Sequence, residues 1–178
     1  MSDPQVILIT GIMAAGKSTV AQALAERLPR SVHLRGDIFR RMIVSGRADM
    51  SPEQSGEALQ QLRLRYQLAA HSAGLYAQAG FTVVYQDVIL GPILRDVVEM
   101  LASQQPTAVV VLCPRPDVVT QREAARAKKG YGAWTPDMLD HALRTDTPQI
   151  GLWLDTSALT IGQTVDAILL RLHDAVIR

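Results

Sequence analysis

The sequence predicts a three-layer α/β/α sandwich built on a five-stranded parallel sheet. Strand-like apolar runs alternate with helix-like stretches five times along the 178 residues, which is the order of a parallel sheet with helices on its faces. The run Phe81-Thr82-Val83-Val84-Tyr85-Gln86 shows almost no polar alternation, as expected of a strand covered on both sides. A glycine turn follows the first strand and leads at once into a helix.

Taken in order, Val6-Ile7-Leu8-Ile9 forms the first strand, and Val20 to Leu28 continues the first helix. Pro29-Arg30 breaks that helix, Ser31 to Arg35 reads as the second strand, and Gly36-Asp37 opens a helix with Ile38, Phe39, Met42 and Ile43 on its apolar side. After a polar connection over 46–53, Leu59, Leu62, Tyr66 and Ala70 recur at helical spacing and predict a long amphipathic helix reaching about Ala79, with Gly80 as its stop. The third strand ends at Asp87, and the next helix carries Ile93, Leu94, Val97, Val98 and Leu101. Ala108 to Leu112 is the fourth strand. Pro114 to Asp117 caps a helix running through Arg122, Glu123 and Arg126. Thr135-Pro136-Asp137 starts a short helix to about Arg144, Ile150 to Leu154 is the fifth strand, and Ile161, Val165, Ile168, Leu169 and Leu172 mark the last helix.

The stretch Gly11-Ile12-Met13-Ala14-Ala15-Gly16-Lys17-Ser18-Thr19 meets the spacing G-x-x-x-x-G-K-[ST] of a phosphate-binding P-loop. Its glycines let the backbone curl with amides inward, and the helix start adds partial positive charge. Lys17 is placed to reach the β- and γ-phosphates of a nucleoside triphosphate, and Ser18 to ligate Mg²⁺. Its position between a strand pattern and a helix pattern is the context the motif requires.

Length and composition set bounds. The chain suits a single domain spanning 1–178, and 48% hydrophobic with 20% charged residues reads as an ordinary globular protein. No apolar run is long enough to span a bilayer, and the first residues lack the basic start of a secretory signal, so a cytoplasmic protein is expected. A net charge of +1 creates no global field favouring nucleic acid or an anionic membrane. The lone Cys113 excludes an internal disulfide and is expected to be buried at a strand end. Four scattered histidines and one cysteine give no zinc-ligand spacing. A homo-oligomer is left open by the sequence.

Ligands in such a sheet sit beyond the carboxyl ends of the strands. That rule places the P-loop, Asp37, Asp87 and the segment after Cys113 along one rim. Asp37 is a candidate base for an acceptor hydroxyl or a group that positions it, weighed against a helix N-cap. Asp87 is a candidate metal or acceptor ligand, weighed against a turn cap. Arg122 and Arg126 share one helix face, and the segment Lys128-Lys129-Gly130-Tyr131-Gly132 follows, so a mobile lid over about 122–134 with a phosphate-neutralising arginine is expected. Arg40 or Arg41, beside Asp37, is placed to bind an anionic or polar substrate, with a solvated helix face as the alternative.

Together, Gly11 to Ser18, Gly36-Asp37, Gln86-Asp87-Val88-Ile89-Leu90-Gly91, Arg122 to Arg126 and Leu154-Asp155-Thr156-Ser157 resemble the small P-loop kinases of the adenylate and shikimate kinase type. The Asp-Val-x-Leu-Gly run and the overall length are most similar to the chloramphenicol phosphotransferase branch. The resemblance implies a P-loop NTPase fold and ATP- and Mg²⁺-dependent phosphorylation of a small-molecule hydroxyl, an antibiotic being one acceptor of that branch. It implies Asp37 as base, Lys17 and Ser18 as phosphate and metal contacts, and Arg122 to Arg126 as part of a closing lid. The basic run Phe39-Arg40-Arg41-Met42 departs from that branch and makes an anionic or sugar-like acceptor an equal expectation. A different class, a nucleotide-dependent switch without small-molecule kinase activity, is the rival reading.

Overall fold

The computed structural model describes residues 3–53, 55–125 and 133–177. The five strands are β1 (Val6–Thr10), β2 (Ser31–Arg35), β3 (Thr82–Gln86), β4 (Thr107–Leu112) and β5 (Leu152–Leu154). They form one parallel sheet in the order β2-β3-β1-β4-β5. Ile9 lies beside Gln86, and Gln86 beside Arg35, so the carboxyl ends of three neighbouring strands are level. That level edge is where the chemistry-bearing residues collect.

The helices are α1 (Lys17–Arg27), α2 (Asp37–Arg41), α3 (Gly56–Gln78), α4 (Ile93–Ala102), α5 (Pro116–Ala125), α6 (Pro136–His141), α7 (Ile161–Leu170) and α8 (Leu172–Ala175). α1 packs on α7, and α3 on α4. From β1 the chain crosses outward to β2, and from β2 and β3 it crosses back. With right-handed crossovers this reversal puts α1 and α3 on opposite faces.

The continuous apolar strands are the centre of the core. All residues of β1 and β4 are buried, and α1 adds Val20, Ala21, Leu24 and Ala25 against them. α3 buries a stripe of small residues, Ala58, Ala69, Ala73 and Ala77, which brings its backbone close to the sheet. Ser55 caps α3 by accepting from the Ala58 amide, and Thr160 with Gln163 forms a reciprocal capping box on α7.

Three expectations change. α2 is only five residues long, and its Ile38 and Met42 are 42% and 67% exposed, whereas Phe39 packs on the core. A single turn flanking an edge strand has little to bury against, so the apolar side expected at both ends is split. The helix expected to reach Arg144 ends at His141 and widens into a π-helical turn over Ala142–Asp146, a form often found beside functional sites. Thr147 holds that turn by donating to the Ala142 carbonyl while accepting from the Gly91 amide. The last helix breaks at Arg171, and Val176 then bridges antiparallel to Ala108. Among the described residues, no helix is long and apolar enough to cross a membrane.

Cys113 is buried as expected, and that burial pushes its thiol above the usual range. The expected lid lies mostly outside the described residues: Arg126, Lys128 and Lys129 belong to 126–132. Arg122 belongs to α5, and Ala133-Trp134 precede α6.

Candidate nucleotide and acceptor site

The loop between β1 and α1 has the backbone its glycines foretell. Gly11 takes φ 142° and Gly16 takes φ 96°, and a Cβ at Gly11 would strike the Leu112 carbonyl oxygen. Ala14, at φ 61°, is the one described residue other than glycine with a positive φ. L-residues adopt that conformation at a cost, and such strain concentrates at ligand clamps. α1 starts at Lys17 with no side-chain cap on its first turn, leaving its positive end for an anion. The largely buried Lys17 donates from Nζ to the Ile12 carbonyl at 2.7 Å, folded across the loop.

Ser18 Oγ donates to Gln86 Oε1 at 3.3 Å. The partner facing the Ser18 hydroxyl is therefore the last residue of β3, and a neutral amide. Asp87, a candidate metal or acceptor ligand from sequence, turns to other partners. Its Oδ2 accepts from Arg65 Nε at 2.8 Å and from the Tyr85 hydroxyl at 3.2 Å, while Oδ1 takes the Val88 amide at 2.7 Å and a second contact from Arg65. Successive side chains on extended backbone point to opposite sides, so Gln86 and Asp87 cannot both face the P-loop. Gly36 exists for this arrangement, since a Cβ there would collide with the Asp87 carboxylate.

Arg65 was not singled out from sequence. It lies between Leu62 and Ala69 at helical spacing, a charge at the edge of an apolar stripe, and that misfit was the available signal. The loop after Asp87 is tied down in turn: Tyr66 donates to the Val88 carbonyl, and Thr10 exchanges two hydrogen bonds with Ile89.

Asp37 opens α2 directly after β2. Its Oδ2 pairs with Arg41 at 2.8 Å, while Oδ1 has Arg35 Nε at 3.7 Å and no hydrogen bond. A buried carboxylate oxygen without a donor is costly and calls for a partner. Arg40 points away, held by both oxygens of Asp49. This contact keeps the Asp49 carboxyl below the usual carboxylate range.

Two cavities flank the loop. One, of about 240 Å³, lies against Gly16, Thr19 and Val20 and is closed by Arg122, Thr156 and Leu159. Arg122 donates to the Thr156 carbonyl at 3.2 Å and approaches the Ala15 carbonyl at 3.5 Å, while the buried Thr156 hydroxyl has no protein partner. The other, of about 980 Å³, is bounded by α2, α3 and the 88–93 loop, and Met13 is its contact with the P-loop.

A parallel sheet, a glycine cradle with lysine and serine at its end, and a cavity on either side define a P-loop nucleotide-binding protein of the kinase type. Residues 6–145 match the AAA domain family, and the chain belongs to it as a small P-loop kinase. The adenylyl-sulfate kinase of Paraburkholderia xenovorans (strain LB400) is 29% identical over 180 residues, covering 94% of this chain and 92% of its own. A sugar kinase from Janibacter sp. HTCC2649 superposes with a TM-score of 0.68 at 18% identity, covering 96% of this chain and 95% of that one. The Deinococcus radiodurans tunicamycin resistance protein gives the same TM-score, 0.68, at 18% identity over 99% of both chains. At these identities the two structures establish the shared fold.

Proposed function

We propose that this protein transfers the γ-phosphoryl group of ATP to a hydroxyl of a small molecule. The observation that carries the reading is the meeting of the strained P-loop with the cavity of about 980 Å³ at Met13. A nucleotide held by the loop amides and Lys17 presents its terminal phosphate toward a chamber of drug size. On the other side, Arg122 and the unpartnered Thr156 hydroxyl suit the nucleoside end. The names of the relatives, an adenylyl-sulfate kinase, a sugar kinase and an antibiotic resistance protein, favour a small acceptor.

Each residue has a task in this reading. Lys17 leaves the Ile12 carbonyl and neutralises charge on the β- and γ-phosphates. Asp37 Oδ1, lacking a donor, accepts the proton of the acceptor hydroxyl as the hydroxyl oxygen bonds to the γ-phosphorus and the bond from that phosphorus to the β,γ-bridging oxygen breaks, releasing ADP. Arg41 and Arg35 orient the Asp37 carboxylate. Arg122 anchors the nucleotide from the α5 side, and Arg126 lies outside the described residues.

The oxygen donors at Ser18 and Gln86 suit a hard cation such as Mg²⁺. When bound, that ion screens phosphate charge and orients the terminal group. This chain offers it a hydroxyl and a neutral amide, with Asp87 withheld by Arg65. Catalysis by the protein's own groups is chiefly positioning and electrostatic stabilisation.

The test is incubation with γ-labelled ATP, magnesium and a panel of alcohols, followed by mass spectrometry of the small molecules. A phosphorylated alcohol is the expected product. Nucleotide binding with no phosphorylated product from any extract would favour a nucleotide-dependent switch.

A further inference from the structure

Building on the kinase reading, we infer that the acceptor is an uncharged, largely apolar alcohol of drug size, and that this chain's acceptor cavity discriminates against carboxylates, phosphates and sulfates. The basic run around Asp37 suggests the opposite in sequence. In the folded chain each of those cations is paired: Arg35 and Arg41 with Asp37, Arg40 and Arg47 with Asp49, and Arg65 with Asp87.

Gln61, Tyr66 and Trp134 on the wall also find protein partners. Gln61 donates to the Gly46 carbonyl and accepts from the Ala48 amide, Tyr66 donates to the Val88 carbonyl, and Trp134 Nε1 lies 3.4 Å from the Met50 carbonyl. The surface left for a ligand is mainly hydrocarbon, to which Phe39, Leu59, Leu62, Leu90 and Ile93 contribute. Arg40 and Arg65 on the wall are balanced by Asp49 and Asp146 there. An anion entering this chamber sheds its water against apolar walls and finds no unpaired arginine among the described residues, a large penalty. An uncharged molecule with one hydroxyl reaching toward Met13 and its body against α3 sheds little. At about 980 Å³ the chamber is far larger than a simple polyol needs.

The test uses matched probes on the full chain with magnesium and a non-hydrolysable ATP analogue. Uncharged aryl and alkyl alcohols, phenyl β-glucoside and chloramphenicol among them, are compared by calorimetry with carboxylate counterparts such as phenyl β-glucuronide. Binders are expected in the uncharged arm, each at least about tenfold tighter than its counterpart and insensitive to added salt. Asp49→Asn unmasks Arg40 and is expected to shift the affinity ratio toward the carboxylates by about tenfold. Carboxylates binding as tightly as their neutral partners, no binder in the uncharged arm, or an unmoved ratio in Asp49→Asn would overturn the inference. Phosphoryl transfer to bound probes is read separately. Transfer to carboxylates alone retires this acceptor class and leaves the kinase reading standing, whereas tight neutral binding without transfer retires the kinase reading and leaves the class.

Discussion

Arg65, on α3, grips both carboxylate oxygens of Asp87 at the end of β3. The pair is largely withdrawn from water, with side-chain exposures of 14% and 2%. It joins the wall of the acceptor cavity to the rim of the sheet, under the glycine that precedes Asp37. Replacing one partner strands a buried charge, so Asp87→Asn is expected to cost about 3–5 kcal/mol of stability. Urea denaturation measures it, and Arg65→Met added to Asp87→Asn should restore much of the loss. A single variant as stable as the parent would show the pair to be dispensable.

Asp37→Asn keeps the shape of the side chain and removes the proton acceptor. Phosphoryl transfer is expected to fall by about 10²–10⁴-fold, the usual worth of a general base. Nucleotide affinity, measured by calorimetry, should stay within about threefold because Lys17 and the loop amides are untouched. Turnover close to the parent's would remove Asp37 from the mechanism.

Gln86 supplies a second prediction about charge. Gln86→Glu puts a carboxylate opposite Ser18, and more ligand charge tightens hard-cation binding. The magnesium concentration giving half-maximal nucleotide binding should drop by about tenfold relative to the parent. Thermal stability in the absence of nucleotide reports separately on folding. An unchanged magnesium requirement would place the metal away from Gln86.

The fold was legible because its signals are local and repeated. Apolar strands, helix periodicity and the glycine turn each announce themselves within a few residues, and the sheet follows from their alternation. The P-loop was legible for the same reason, since one short run sets its whole geometry. Asp87 was harder: a strand-end acid reads as a metal ligand, an acceptor ligand or a cap, and its partner is Arg65, 22 positions earlier on another element. The charge state of the acceptor cavity was hidden in the same way. Arg40 and Arg41 look like a basic patch in sequence; Asp37 stands at helical spacing before Arg41, a local pairing, whereas only the chain fold brings Asp49 onto Arg40. Pairings between distant residues leave no periodic trace.

Two buried tyrosines predict the response to alkali. Burial raises the Tyr66 phenol to about 12 and drives Tyr85 higher still. A folded-state value above the unfolded one, about 10, means that the unfolded chain releases its protons first. The stability they contribute is therefore intact below about pH 10 and declines as pH rises through about 12. Absorbance near 295 nm (roughly the phenolate band) should show neither phenol ionising near pH 10 (about the ordinary value) while the fold is retained. Titration of either near that ordinary value (about 10) with the native fold intact would contradict the burial.

The most direct measurement of the central claim is transfer of labelled γ-phosphate from ATP to an alcohol by the parent chain and by Lys17→Ala, with far-UV circular dichroism confirming equal folding. A P-loop that delivers its terminal phosphate into the adjoining cavity predicts a phosphorylated alcohol with the parent and a loss of at least about 10²-fold with the variant. A labelled product formed equally well without Lys17, or ATP consumed by the parent with label appearing only as inorganic phosphate whatever alcohol is supplied, would contradict it.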